Sequence, residues 1–116
     1  YYVSSCSTCR RIMEKLQVEE RSFELQDIKK DPIQEAQLQF LAQKLGGYDQ
    51  LLNKRARKYR ELDLKNRVLT ESELKSLILS AYTLLKRPVF VIDDLVYAGN
   101  SKKTIEKVEK TLYDSE

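Results

Sequence analysis

Histidine is absent from this 116-residue sequence, which has only two cysteines, two prolines and three glycines. Without histidine, no Cys-His catalytic pair can form. Two cysteines also fall short of the four ligands that a structural zinc ion usually takes. Three glycines leave no glycine-rich loop of the kind that cradles phosphates. The sequence therefore predicts neither a metal site nor a nucleotide site.

Long apolar runs and a strong excess of charge are missing as well. No run approaches the roughly 18 apolar residues of a membrane-spanning helix. The net charge of +3 is too small to predict direct binding to nucleic acid. No signal peptide is recognisable, and two cysteines three positions apart differ from the disulfide framework of a small secreted protein. We therefore expect a cytoplasmic protein with a reactive rather than a structural cysteine pair.

The two cysteines form a Cys-x-x-Cys motif between a strand-like run at residues 1–4 and a helical pattern at residues 7–17. Cys9, Ile12, Met13 and Leu16 recur with helical spacing and predict one buried face. Cys6 lies outside that face, at the helix entrance, where free N–H groups and the helix dipole favour a thiolate. We interpret Cys6 as a nucleophile and Cys9 as its partner thiol. The alternative for Cys9 is a small packing residue.

The rest of the chain alternates between strand and helix patterns in an uneven way. Residues 21–27 predict a second strand, with Phe23 and Leu25 facing inward. Residues 33–85 contain no convincing strand and predict helices, one of which begins at a capping box, Thr70-x-x-Glu73, with an apolar face reaching Leu85. Two strands at residues 88–92 and 95–98 then predict a hairpin, and a last helix follows.

This order predicts an α/β protein with a thioredoxin-like fold, built on a mixed four-stranded sheet with an inserted helical lobe. The position of the Cys-x-x-Cys motif, at the first strand–helix junction, favours this fold among α/β alternatives. The core is predicted from residues 1–32 and 86–116 and the inserted lobe from residues 33–85. Together they are expected to form a single compact unit.

Three short motifs occur in order along the chain. The first is Tyr-x-x-x-x-Cys-x-x-Cys-Arg at the N-terminal end, which begins at Tyr1 or Tyr2 and ends at Arg10. The others are Leu51-Leu52-Asn53-Lys54-Arg55 ahead of Tyr59-Arg60-Glu61-Leu62, and Lys86-Arg87-Pro88-Val89-Phe90-Val91. With these motifs the sequence resembles the arsenate reductase (ArsC)/Spx family over nearly its whole length. Each motif alone is weak evidence, whereas the three in this order are fairly specific.

The resemblance implies roles for the residues around the cysteine pair. Cys6 would be the catalytic nucleophile, with Arg10 adding positive charge beside it. Arg87 would contact the anionic part of a substrate and stabilise the thiolate, because a guanidinium stays charged and can hold an oxyanion by two hydrogen bonds. Pro88 would follow a cis peptide bond.

The resemblance also identifies candidates for substrate or anion binding away from the motif. Arg55 matches an arginine of the Spx branch. Glutaredoxin-linked arsenate reductases surround their oxyanion with three arginines, of which this chain keeps Arg87. The other two positions align with Asn53 and Asn100, which can donate hydrogen bonds but carry no charge.

Three functions follow as alternatives. The first is a thiol-dependent reductase in which Cys9 resolves the intermediate formed on Cys6, with no bound cofactor and with glutathione, glutaredoxin or thioredoxin as external reductant. The second is an Spx-like regulator of bacterial type, in which the same disulfide controls binding to the C-terminal domain of the RNA polymerase α-subunit. The third is an arsenate reductase that uses Cys6 alone.

Overall fold

The computed structural model describes residues 1–114, which form five α-helices and one β-hairpin, joined by short 3₁₀ turns. The helices and strands, in chain order, are α1 (Ser7–Lys15), α2 (Glu35–Leu45), α3 (Arg57–Glu61), α4 (Glu71–Ser80), β1 (Val89–Ile92), β2 (Leu95–Ala98) and α5 (Lys102–Asp114). The α/β class is confirmed, and all the predicted helices are present.

The hairpin is the sheet of this protein over the described residues. Strands β1 and β2 pair antiparallel, from Val89 opposite Ala98 to Ile92 opposite Leu95. The two other predicted strands appear as a single parallel bridge between Tyr2 and Asp27. Backbone hydrogen bonds also join Tyr1 and Val89 in both directions, each 2.9 Å long. The hairpin is thus confirmed, whereas the four-stranded sheet stays a prediction.

The chain divides into two compact units, of which the first comprises Tyr1–Asp31 and Arg87–Glu116. Its core contains seven buried residues from α1, β1, α5 and the turn after α1: Ile12, Leu16, Val18, Phe90, Ile105, Val108 and Leu112. Phe23 packs its ring edge-on against Phe90, with centroids 6.0 Å apart. The inward orientation predicted for Leu25 is wrong, since it is 45% exposed. Its segment lacks the continuous strand pairing that would fix alternate side chains on one face.

The second unit comprises Pro32–Lys86 and is helical. Helix α2 ends at Gly46, whose φ of 91° is a left-handed conformation that favours glycine. The single helical face predicted to run on to Leu85 is wrong, because α4 ends at Ser80. Leu85 is buried by a different route: it follows a 3₁₀ turn at Tyr82–Leu84 and forms an antiparallel bridge with Leu52.

The capping box at the start of α4 is confirmed and gives a test of local stability. The Thr70 hydroxyl accepts from the Glu73 N–H at 3.1 Å, and the Glu73 carboxylate accepts from the Thr70 N–H at 3.1 Å. We expect Thr70→Ala to lower the free energy of unfolding by about 1 kcal/mol, measured by urea denaturation. Ser72→Ala, an exposed position in the same helix, is the control. An equal loss in both variants would contradict a capping role.

Candidate active site

The Cys-x-x-Cys motif bends the chain from its first segment into α1. Cys6 is the N-cap residue, with extended backbone angles, and its N–H donates to the Val3 carbonyl at 3.0 Å. The N–H groups of the first turn have no acceptor within the helix and face this N-cap position. The Cys6 side chain is half-buried, whereas Cys9 is completely buried. The predicted helix face is confirmed, with Cys9, Ile12 and Leu16 all buried.

The surroundings of Cys6 favour its thiolate. Partial burial raises the pKa of Cys6, but this effect is outweighed by hydrogen bonds from the N–H and the thiol of Cys9, the positive charge of Arg87 and the N–H of Thr8. The net result is a pKa of Cys6 below its ordinary value. A lowered pKa is the property that makes a cysteine a nucleophile near neutral pH.

Cys9 shows the opposite behaviour. Burial raises the pKa of Cys9 to about 11, and its hydrogen bond and proximity to Cys6 act in the same direction, while a backbone hydrogen bond from Val3 and the charge of Arg87 act against them. Cys9 therefore keeps its proton near neutral pH, and its S–H group donates a hydrogen bond to the Cys6 sulfur. The same hydrogen bond stabilises the thiolate of one cysteine and the thiol of the other.

Arg87 and Pro88 belong to the same compact unit as the cysteines. The Arg87–Pro88 peptide bond is cis, and Pro88 is fully buried, with its carbonyl accepting from the Gly99 N–H at 3.0 Å. Arg87 is half-buried and its charge acts on both cysteines. The predicted anion contact for Arg87 stays a prediction, as does the role of Arg10, which is exposed on α1.

The remaining predicted anion-binding residues are not brought together in one compact unit. Asn53 and Arg55 lie in the helical unit, whereas Asn100 is exposed in the first unit, just before α5. The Asn53 amide donates to the Thr83 carbonyl at 3.2 Å, and its side-chain oxygen accepts from the Arg55 N–H at 3.1 Å. These bonds make Asn53 a support for two loops of its own unit, a local role that the sequence reading did not anticipate.

A hydrogen bond beside the motif was also missed. The Ser4 hydroxyl donates to the Asp27 carboxylate at 2.5 Å. This bond, followed by one from the Lys29 N–H, lowers the pKa of Asp27 despite the opposing effect of burial. It joins the segment that leads into Cys6 to the segment bridged by Tyr2. A serine two residues before the cysteine and an aspartate at the end of the next strand-like segment were the available signals.

Two classes of site receive no support from the described residues. Within residues 1–114, no three carboxylate or cysteine side chains group together as metal ligands. No helix in that range combines the length and hydropathy needed to cross a membrane.

An α/β fold with a low-pKa cysteine at the entrance of its first helix, paired with a buried thiol, defines a thioredoxin-like thiol protein. The family comparison narrows this class. The chain belongs to the ArsC family, whose model matches residues 1–108. It is thus a member of a family of thiol oxidoreductases. No curated protein matches the sequence.

Solved structures show the same fold. An arsenate reductase from Vibrio cholerae superimposes with a TM-score of 0.77 at 19% identity, covering 93% of each chain. A protein from Streptococcus mutans described as a "possible arsenate reductase" gives a TM-score of 0.75 at 27% identity, covering 94% of each chain. A Staphylococcus aureus protein gives 0.73 at 29% identity, covering 92% of this chain and 93% of its own.

Proposed function

We propose that this protein is a thiol–disulfide oxidoreductase in which Cys6 is the nucleophile and Cys9 the resolving thiol. The observation that carries the proposal is the placement of two thiols within one turn of α1, with Cys6 half-buried at the N-cap and Cys9 completely buried. The pKa of Cys6 lies below its ordinary value and the pKa of Cys9 above it, which supports the same assignment. A protein that used Cys6 alone would not need a thiol at the position of Cys9. Burial alone explains a small residue there, whereas a thiol within one helical turn of the nucleophile also supplies a resolving sulfur.

The proposed reaction has two exchange steps. The Cys6 thiolate attacks one sulfur of a substrate disulfide, so that a Cys6–substrate disulfide forms and the other substrate sulfur leaves as a thiolate, which takes a proton. Cys9 then loses its proton and attacks the Cys6 sulfur, forming the Cys6–Cys9 disulfide and releasing the second substrate sulfur. The substrate gains two electrons and the cysteine pair loses two. An external thiol of the glutathione, glutaredoxin or thioredoxin type resets the pair.

A redox titration tests whether the two cysteines act as a pair. The protein is equilibrated in buffers of graded thiol/disulfide ratio, and free thiols are counted by mass-tagging. We expect both thiols to disappear together, as one two-electron couple with a potential within roughly −200 to −320 mV. Mixed disulfide on Cys6 with Cys9 free throughout the series would contradict the proposal and favour an arsenate reductase that uses Cys6 alone.

The same titration prepares the experiment that separates an enzyme from a regulator. If the disulfide forms, the reduced and oxidised proteins are each mixed with the C-terminal domain of the RNA polymerase α-subunit. If the protein is an oxidoreductase, we expect catalytic turnover of a disulfide with an external thiol. We expect no binding to the polymerase domain that depends on the oxidation state. Binding that changes with oxidation state, without turnover, would instead support the Spx-like regulator.

A further inference from the structure

A cleft of about 650 Å³ runs beside the cysteine motif, within the first compact unit. Ser4 and Arg10 are two of its lining residues. Cys6 is not itself a lining residue, but it lies between these two in the chain, and the Arg10 N–H donates to the Cys6 carbonyl at 3.1 Å. The lining of the cleft thus includes residues two and four positions from the nucleophile in the chain.

The cleft follows one face of α1 away from Cys6. Arg10, Met13 and Glu14 line it from one face of α1. Gln17, two residues beyond the end of the helix, lines it next. The helix rises about 8 Å from Arg10 to its last residue, Lys15. The lining then continues into the 3₁₀ turn that follows α1 (Val18–Glu20). An extended peptide covers about 10 Å in three residues, so the cleft has the length for a short peptide segment.

The charges along the cleft are unevenly distributed. Arg10 is the charged lining residue nearest to Cys6 in the chain, whereas Glu14, Glu19 and Glu20 follow later. All four side chains are exposed to solvent. Three carboxylates against one guanidinium make the cleft acidic, although the whole chain carries a net charge of +3. The cleft thus carries a negative charge on a protein whose net charge is positive.

The wall of the cleft is also partly apolar. Tyr2 and Met13 line it, and both are half-buried. A tyrosine offers an apolar face with a polar tip, and a methionine adapts to irregular shapes. This lining suits the side chains and backbone of a peptide better than a small inorganic anion, for which the carboxylates would be repulsive.

We propose that the cleft binds the disulfide substrate itself: a peptide segment with a lysine or arginine about three residues from its cysteine. The inference rests on the proposed thiol–disulfide function and deepens it. The substrate cysteine bonds to Cys6, the neighbouring backbone passes Arg10 and the Tyr2–Met13 wall, and the basic side chain reaches Glu19 and Glu20. These carboxylates select substrates by charge and take no part in the exchange of sulfur bonds.

The test compares two peptides and one small disulfide. Each peptide holds a cysteine activated as a mixed disulfide with 2-nitro-5-thiobenzoate, with either lysine or glutamate at the third position on both sides. We expect the protein to react about five- to tenfold faster with the lysine peptide at low salt. The preference for the lysine peptide is expected to shrink at about 0.5 M salt, because the exposed charges are then screened. Hydroxyethyl disulfide, which is small and neutral, reports the thiol chemistry alone.

A charge-reversed variant identifies the residues responsible. Glu19→Lys combined with Glu20→Lys is expected to abolish or invert the peptide preference, taken as the ratio of the two peptide rates. The rate with hydroxyethyl disulfide, measured for every variant, corrects for any change in the thiol chemistry. Glu106→Lys combined with Glu109→Lys alters the net charge equally on exposed positions of α5 and is expected to keep the preference. Equal rates for the two peptides, or the same loss in the α5 variant, would overturn the inference while the proposed function stands. If hydroxyethyl disulfide fails to oxidise the cysteine pair, both proposals fall.

Discussion

Cys9→Ser is expected to stop the reaction at the mixed disulfide, with essentially every protein molecule carrying one substrate thiol on Cys6. Position 9 is completely buried. Because serine is nearly the size of cysteine, the substitution leaves no large cavity there, and we expect the fold to be kept. A serine hydroxyl can still donate a hydrogen bond to the Cys6 thiolate, but it cannot displace a sulfur. Intact mass measurement after exposure to a disulfide, followed by quenching with acid, detects the trapped species.

The companion variant Cys9→Ala separates the two roles of Cys9. Alanine removes the resolving sulfur and also the hydrogen bond that helps to lower the pKa of Cys6. We expect Cys9→Ala to trap the same mixed disulfide, but more slowly than Cys9→Ser near neutral pH. Cys6→Ser is the negative control and should acquire no adduct. If the mixed disulfide on Cys6 is as stable in the wild-type protein as in Cys9→Ser, Cys9 does not act as the resolving thiol.

Arg87→Gln is expected to slow the reaction of Cys6 with neutral iodoacetamide by roughly three- to tenfold near neutral pH. The positive charge of Arg87 lowers the pKa of Cys6, so its removal raises that pKa and reduces the thiolate fraction at any pH below it. Once pH exceeds the pKa in both proteins, the difference should largely vanish. A neutral alkylating reagent is chosen because its own binding does not depend on the arginine.

Two further variants test whether charge is the cause. Arg87→Lys keeps a positive charge and is expected to preserve most of the rate. Lys103→Gln removes a charge from an exposed position on α5 and is expected to leave the pH profile unchanged. A profile for Arg87→Gln that falls equally at every pH, rather than shifting along the pH axis, would indicate a change of access to Cys6 instead of a change in its pKa.

Local signals in the sequence predicted the elements whose stability is local. The spacing of Cys9, Ile12 and Leu16 correctly placed the second cysteine on the buried face of α1. The pair Thr70 and Glu73 predicted the start of α4, since both partners of a capping box lie within one turn. The resemblance to a family supplied what spacing does not, namely which proline and which arginine to associate with the cysteines.

The failures concern features decided by distant parts of the chain. Whether Leu25 faces the core depends on which strand pairs with its segment, and sequence alternation alone does not specify the partner. The end of α4 was also placed too late, because Leu85 is buried by its bridge to Leu52 rather than by helix periodicity. The acidic cleft was not predicted from the sequence, because it is the turn after α1 that brings Glu14 and Glu19 to one cleft.

The burial of Cys9 has a consequence for oxidative damage. With a completely buried Cys9, oxidants in solution meet Cys6 first, and Cys9 is oxidised only through it. If peroxide converts Cys6 to a sulfenic acid, the neighbouring thiol can condense with it to give a disulfide, which external thiols reverse. Further oxidation to sulfinic acid is far harder to undo. If Cys9 resolves adducts on Cys6 as proposed, the same thiol is expected to keep oxidation of Cys6 at the reversible disulfide stage.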